Sequence, residues 1–508
     1  MESLVQPIDH WGIAAPDHLA HVSGDQTLTY GELLRRSNNL AAHLARTLPD
    51  DKLPIAVHGH KEPEMLIAFL AAIKSGHPYV PIDSSIPPQR VERIIATARA
   101  PITLTPDSIR VLESQFTVDC SLFTAHCSLP TDPFYILFTS GSTGEPKGVV
   151  ITHQCLNSFV DWMLVEQKFS ARGEIFLNQA PFSFDLSVMD VYPCLATGGT
   201  LFSVTKDDIA NPAQLYRAFA RSNVTTWVST PSFAQMCLAE KTFAATMLPH
   251  LGKFLFCGET LAPDVASALL DRFPNAQVWN TYGPTETTVA TTSVNIDRDI
   301  LGKYSPLPVG YCKPDSRIVI LGDDGKILTD GARGEIVIAG SNVSPGYLGR
   351  DDLTAKSFFD LDGWRAYHTG DWGHFCDGML FFEGRRDNQI KLHGHRIELG
   401  DVEANLQALP GVRDGVVVMK NKDGVPDSLA AFVVLDALPV MPNGKVDRRA
   451  LPAPDWRGEG VARAGEFVAP RTPAGREIRL SWRELDGYVN RWANALSMLG
   501  VARGERAA

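Results

Sequence analysis

Apolar residues in the first part of the chain change their period from segment to segment. In TLTYGELLRRSNNLAAHLA, residues 27–45, Leu33, Leu34, Leu40, Ala41 and Leu44 recur at helical spacing behind Thr29, whose hydroxyl suits a helix N-cap. LPIAVHGH then reads as a short buried strand, EPEMLIAFLAAIKSG as a second helix closed by Gly76, and HPYVPID as a second strand ending at Asp83. Strand and helix alternating in this way predict an α/β protein with a parallel sheet. From Asn223, NVTTWVSTPSFAQM and HLGKFLFCGETL give two more strand-and-turn units. GEIVIAGSNVSPGYLGR, 334–350, alternates apolar and polar positions over its first half and predicts a β-rich subdomain.

Composition narrows the class. At 508 residues the chain exceeds one ordinary core, and about two to four domains are expected. Hydrophobic residues at 44% and charged residues at 21% are ordinary for a soluble protein. A net charge of -11 argues against nucleic acid as a general partner, so any polyanion must be met by a local patch. The eight cysteines show neither a CxxC pair nor metal-ligand spacing, which reads as reduced thiols in a cytosolic protein. MESLVQPIDHWGIAAPDH lacks a basic region followed by a long apolar run, and no apolar stretch is long enough for a spanning helix.

Four polar stretches carry candidate chemistry. FTSGSTGEPKGVVITH, 138–153, packs Thr139, Ser140, Ser142 and Thr143 as donors among Gly141, Gly144 and Gly148, with Lys147 behind Pro146. Its spacing is not that of a Walker A loop, but the composition suits a polyphosphate. In NQAPFSFDLSVMDVYPCLATGGTLF, Asp185 lies within an apolar run, where a carboxylate needs a partner; a helix N-cap or a distant arginine would serve. In NTYGPTETTVATT, Tyr282 offers a flat face for adenine, Gly283 a close backbone approach, and Thr285 and Glu286 hard oxygens for Mg²⁺. YHTGDWG places Asp371 in a tight turn, where a carboxylate would suit a ribose diol.

Taken in order, these stretches resemble the adenylate-forming superfamily, which includes acyl-CoA synthetases, luciferases and peptide-synthetase adenylation domains. Closer still, they resemble the D-alanine:D-alanyl carrier protein ligases. The resemblance implies a large α/β core of parallel and mixed sheets with a β-subdomain over residues 1–386, and a small α+β C-terminal lobe over 387–457 that pivots at Asp387. It implies ATP and Mg²⁺, phosphates held by the 139–147 loop with Thr143 in a catalytic role, and Glu286 as metal ligand. Asn280, Tyr282, Gly283, Thr285, Asp371 and Arg385 would hold the rest of the nucleotide. Asp185 would take the substrate α-ammonium in a pocket of Leu186, Met189, Val228, Leu255, Cys257, Thr281, Val289 and Ala290. These side chains are mostly bulky and apolar and leave room for a small one, and Cys257 in FCGE matches the D-alanine ligases. Lys445 in PVMPNGKVDRRAL would bridge carboxylate and α-phosphate, and residues 391–396 would line a tunnel to a carrier protein's phosphopantetheine thiol.

The C-terminal part departs from that pattern. Between Glu398 and Lys445 the lobe is several dozen residues short, and AAFVVLDALPVM reads as two strands spliced together. Residues 458–479, including RAGEFVAPRTPAGREI, resemble a linker to a carrier domain, and 480–508 partly repeat the first helix at an offset of 452, Leu28 and Leu33 recurring as Leu480 and Leu485. Three functions fit: a D-alanine-type ligase serving a separate carrier, a peptide-synthetase module for another small amino acid, or a binding-competent relic without thioester transfer.

Overall fold

The computed structural model describes residues 4–115, 128–139 and 146–385, and beyond these 389–392, 395–399, 402–403, 406, 414–422, 425–434, 466–468 and 479–481. The chain divides into two compact units: Met1–Ser84, Gln89–Phe138 and Lys147–Arg386 form one, and Ser85–Pro88, Thr139–Pro146 and Asp387–Ala508 the other.

The first unit holds three sheets. The largest has nine strands in the order Tyr311–Cys312, Thr292–Asn295, Gln277–Tyr282, Lys253–Phe256, Thr226–Ser229, Ile175–Asn178, Thr200–Ser203, Leu19–Ser23 and Gln26–Thr29. Its six central strands, from Gln277–Tyr282 to Leu19–Ser23, run parallel, with antiparallel strands at both edges. The second sheet orders Gly346–Tyr347, Lys147–Thr152, Pro133–Thr139, Tyr79–Asp83, Ile55–Gly59 and Thr103–Leu104. The third is antiparallel, from Ser316–Leu321, Gly334–Gly340, Trp364–Cys376, Phe358–Leu361 and Met379–Arg385. Parallel α/β sheets beside a β-subdomain are what the sequence predicts.

Strand parity sorts the core. Along adjacent strands Trp227 pairs with Phe254 and Val228 with Leu255. Trp227, Phe254 and Phe256 join one apolar cluster with Phe219 and Phe243, whereas Val228 and Leu255 join the other, because successive side chains leave a strand on opposite faces. One buried lysine ties the nine-stranded sheet to its neighbour. Lys61, after Ile55–Gly59, is 1% exposed and donates to Asn178 Oδ1 and the Ala180 carbonyl. Asn178 Nδ2 in turn donates to both oxygens of Asp190 at 3.0 Å.

Local signals are mostly realised. The helix Tyr30–Thr47 starts behind Thr29, whose hydroxyl accepts from Glu32 N while Glu32 returns the bond, a full capping box. Thr27 and Leu28, ahead of that cap, are extended and pair with Val22 and His21. The strands Ile55–Gly59 and Tyr79–Asp83 flank the helix Pro63–Lys74 and are parallel. Gly334–Gly340 is buried on both faces, not alternately, because it lies between two partner strands with apolar clusters on either side.

The second unit contributes the hairpins Gln389–Leu392 with His395–Glu398 and Asp414–Lys422 with Val425–Val434, closed over Leu399, Leu406 and Val417. AAFVV lies within the strand Val425–Val434; the rest of the expected splice is outside the described residues.

Candidate active site

The central parallel strands set the place of the site. After Ile175–Asn178 the chain crosses to Thr200–Ser203 on one side and then to Thr226–Ser229 on the other. Reversal of strand order opens a crevice at the carboxyl ends of these strands, and that is where open α/β sheets bind ligands. Asp185 stands there, at the N-cap position of the helix Leu186–Thr197, with φ -63° and ψ -25°.

Asp185 is half-buried and makes no side-chain cap bond, so capping does not explain its carboxylate. It accepts the Thr285 hydroxyl at 2.6 Å. The residues expected around it come from four elements: Leu186 and Met189 from the helix, Val228 and Leu255 from paired strands, Cys257 just past Lys253–Phe256, and Val289 and Ala290 after the 3-10 turn Thr285–Thr287. All are buried in one apolar cluster. Thr281 is buried too and directs its hydroxyl to the Phe256 carbonyl at 2.8 Å, and Cys257 Sγ approaches Val289 O at 3.5 Å. A small apolar side chain beside an ammonium group is the ligand that such walls and one carboxylate suit.

The expected nucleotide residues gather at the end of Gln277–Tyr282. Tyr282 donates to Asp371 Oδ2 at 2.5 Å, and Arg385 Nη1 donates to Asp371 Oδ1 and to the Thr369 carbonyl, each at 2.7 Å. Burial, followed by the Asp371 charge, pushes the Tyr282 phenol well above its usual range, so it stays a donor. Asp371 is not in a tight turn. It lies inside the strand Trp364–Cys376, where the register shifts between Asp371 and Gly373 and Gly370 takes φ 70°. Such a bulge re-aims a side chain at the edge of a site. Asn280 is 3% exposed and donates Nδ2 to the Pro308 carbonyl at 2.8 Å. Gly283 has no room for a side chain: a Cβ there would lie 2.7 Å from Ala290 Cα.

A third group surrounds Glu286, which is fully buried. Tyr347 donates its phenol to Glu286 Oε1 at 2.8 Å, and Lys147 Nζ lies 3.5 Å from the same oxygen and 4.7 Å from the Tyr347 ring centroid. Sequence reasoning missed Tyr347. Its only signal is the tyrosine in SPGYLGR, and its partner Lys147 is 200 residues away. Among the described residues no three His, Cys, Asp or Glu side chains gather as a metal cage. One hard carboxylate is nonetheless a suitable donor for Mg²⁺, which keeps water and phosphate oxygens as its other ligands.

Thr139 ends the strand Pro133–Thr139 and Lys147 begins Lys147–Thr152. The expectations on Ser140, Gly141, Ser142, Thr143, Gly144, Asp387 and Lys445 lie outside the described residues, as do the side chains of 391–396; of the linker and repeat, Glu466–Val468 and Arg479–Ser481 are described, as an antiparallel pair of strands. No helix among the described residues is long and apolar enough to cross a membrane.

Comparison with known proteins bears on the family and the fold. The family model described as AMP-binding enzyme matches residues 8–348. The D-alanine--D-alanyl carrier protein ligase of Bacillus cytotoxicus is 45% identical over 498 residues, covering 88% of this chain and 98% of the relative. The ligase of the same name from Bacillus cereus is 44% identical over 499 residues with the same coverage. Among solved structures, NpsA-ThdA, an artificially fused adenylation-PCP di-domain NRPS from Klebsiella oxytoca, is similar with a TM-score of 0.77 and 25% identity, over 85% of this chain and 89% of that one.

Proposed function

The chain belongs to the AMP-binding enzyme family, and on that premise we propose that it activates a small amino acid, D-alanine before others, and delivers it to a carrier protein. An amino-acid carboxylate oxygen attacks the α-phosphorus of ATP, the α–β anhydride bond breaks, and pyrophosphate leaves behind the aminoacyl-adenylate. The thiol of a carrier's phosphopantetheine then attacks the acyl carbon, forming a thioester and releasing AMP and the thiol proton.

The observation that carries this reading is the half-buried Asp185 carboxylate, which stands at the head of a buried apolar helix and makes no cap bond. It pairs with the substrate ammonium, and a fatty acid would leave it without that cation, at a cost of about 3–5 kcal/mol. Leu186, Met189, Val228, Leu255, Cys257, Thr281, Val289 and Ala290 limit the side chain to a small one. The preference for D-alanine is supported by the two relatives' names; discrimination between neighbouring small side chains amounts to only about 1–3 kcal/mol per methylene.

Tyr282 and Gly283 receive the adenine with Asn280 beside them, Asp371 the ribose hydroxyls, and Arg385 holds Asp371. Thr139, Ser140, Gly141, Ser142, Thr143, Gly144 and Lys147 cradle the phosphates, with Thr285 at the α-phosphate side. Glu286 would hold Mg²⁺, which would supply neutralisation of the phosphate charge. By the family resemblance Lys445 would bridge the attacking carboxylate and the α-phosphate, and Asp387 would be the pivot between the two half-reactions. Catalysis is by positioning and charge neutralisation, with no nucleophile from the protein.

Incubation with ATP, Mg²⁺, D-alanine and a phosphopantetheinylated carrier tests the whole reading: a mass increase of the carrier by one alanyl group supports it, and an unmodified carrier beside detectable adenylate refutes transfer. That second result would favour adenylation alone. One observation points that way: the match to the Bacillus cytotoxicus ligase runs over 498 residues but occupies 88% of these 508, so dozens of aligned positions have no residue here.

A further inference from the structure

The turn that carries the pocket wall is strained. Thr288 and Val289 have φ of 56° and 67°, a left-handed conformation that a β-branched residue adopts only when its surroundings enforce it. What enforces it is Asn342, 0% exposed, from the segment after Gly334–Gly340. Its Nδ2 donates to Thr287 O at 2.7 Å and to Thr291 Oγ1 at 2.9 Å, and its carbonyl accepts the Thr288 hydroxyl at 2.7 Å. Its Oδ1 accepts the Ser316 hydroxyl at 2.8 Å. The fit is close on the far side too, since a Cβ on Gly340 would lie 2.8 Å from that Oδ1. Two residues on, Ser344 N donates to Glu286 O at 2.9 Å.

We propose that Asn342 is a specificity-determining positioning residue, which holds the Thr288–Val289 turn in its strained form and so fixes the width of the amino-acid pocket. It does not itself line the pocket. It acts through Val289 and Ala290, whose side chains are expected to wall it, and through the Val289 carbonyl, which faces Cys257 Sγ at 3.5 Å. Released from Asn342, the turn relaxes toward negative φ, Val289 swings out of place, and the pocket admits larger side chains. The side chains of the nucleotide residues Tyr282, Asp371 and Arg385 are bonded to one another, and the turn meets them at the backbone, where Thr291 N donates to the Tyr282 carbonyl at 2.8 Å. The inference rests on the proposed amino-acid pocket.

The test compares amino-acid-dependent pyrophosphate exchange with alanine and with valine. Asn342→Asp keeps the size of the side chain but sets an acceptor against the Thr287 carbonyl. It is expected to lower the alanine-to-valine ratio of kcat/KM by about tenfold, with the KM for ATP changed by less than about twofold. Should that variant not fold, Thr288→Val removes the hydroxyl that bonds Asn342 O, and with it a contact to Cys155 Sγ, and is expected to lower the same ratio by about threefold. Asn342→Asp combined with Thr288→Asn, which tolerates the left-handed conformation, is expected to regain part of the discrimination. An unchanged ratio in folded Asn342→Asp or Thr288→Val, or equal rises in KM for ATP and amino acid, overturns the proposal. Absence of exchange in the wild type with every amino acid instead overturns the pocket reading, and this inference with it.

Discussion

The Thr285 hydroxyl donates to the Asp185 carboxylate at 2.6 Å, which joins the residue expected at the substrate ammonium to the loop that carries Glu286. A hydrogen bond to an ionised group contributes about 1.5–3 kcal/mol. Thr285→Val is therefore expected to raise the KM for the amino acid by about tenfold or more, and Thr285→Ser to restore it. Steady-state exchange kinetics check both; a Thr285→Ser variant as impaired as Thr285→Val would show that the hydroxyl is not what matters.

Tyr347 makes a comparable bond to Glu286 Oε1 at 2.8 Å, in a fully buried setting. Tyr347→Phe keeps the ring that lies against Lys147 but removes the donor. Its expected effect is a fall in ATP·Mg²⁺ affinity of about tenfold, read by isothermal titration, with the thermal midpoint shifted only slightly. Unaltered affinity would place the phenol outside the nucleotide's influence.

Asp371 accepts from both Tyr282 and Arg385, so its loss removes a charged acceptor from each, Arg385 keeping the Thr369 carbonyl. Asp371→Ala should weaken ATP binding by about ten- to a hundredfold while the amino-acid KM moves less than about twofold. A titration in which both substrates weaken equally would contradict the ribose assignment.

These assignments were not equally legible in the sequence. The capping box of Thr29 and Glu32, the alternation of strands and helices, and the motif order that brings Asp185, Tyr282, Glu286 and Asp371 into question are local signals. The short strand Gln26–Thr29 was not legible, because its conformation is set by pairing with Leu19–Ser23. Asp371 reads as a turn from TGD, and the strand around it exists only because Gly334–Gly340 and Met379–Arg385 flank it. Tyr347 and Asn342 meet the site across 61 and 55 residues, with nothing in their own neighbourhoods to announce it.

Acid stability offers a separate check on how the two sheets are joined. Asp83 accepts from His60 Nδ1 at 2.6 Å and from Lys206 Nζ at 2.7 Å. Burial alone would raise its pKa, but the His60 hydrogen bond and charge together with Lys206 outweigh it and hold the carboxyl well below its usual range. A folded pKa below the unfolded one means that the stabilisation is complete above about pH 4 and is lost as pH falls through the folded value. Asp83→Asn is expected to cost about 3 kcal/mol at pH 7, with the deficit narrowing below pH 4. Urea titrations at pH 7 and pH 3 measure this, and a deficit that stays constant would show that the charge is not its source.

Pyrophosphate exchange across a panel of D- and L-amino acids, run with wild type and Asp185→Ala in parallel, tests the central claim most directly. Exchange is expected with D-alanine above glycine, L-alanine and serine, and loss of Asp185 should reduce it at least a hundredfold, as about 3 kcal/mol or more would require. Exchange with no amino acid, or D-alanine-dependent exchange that survives in Asp185→Ala, would contradict it.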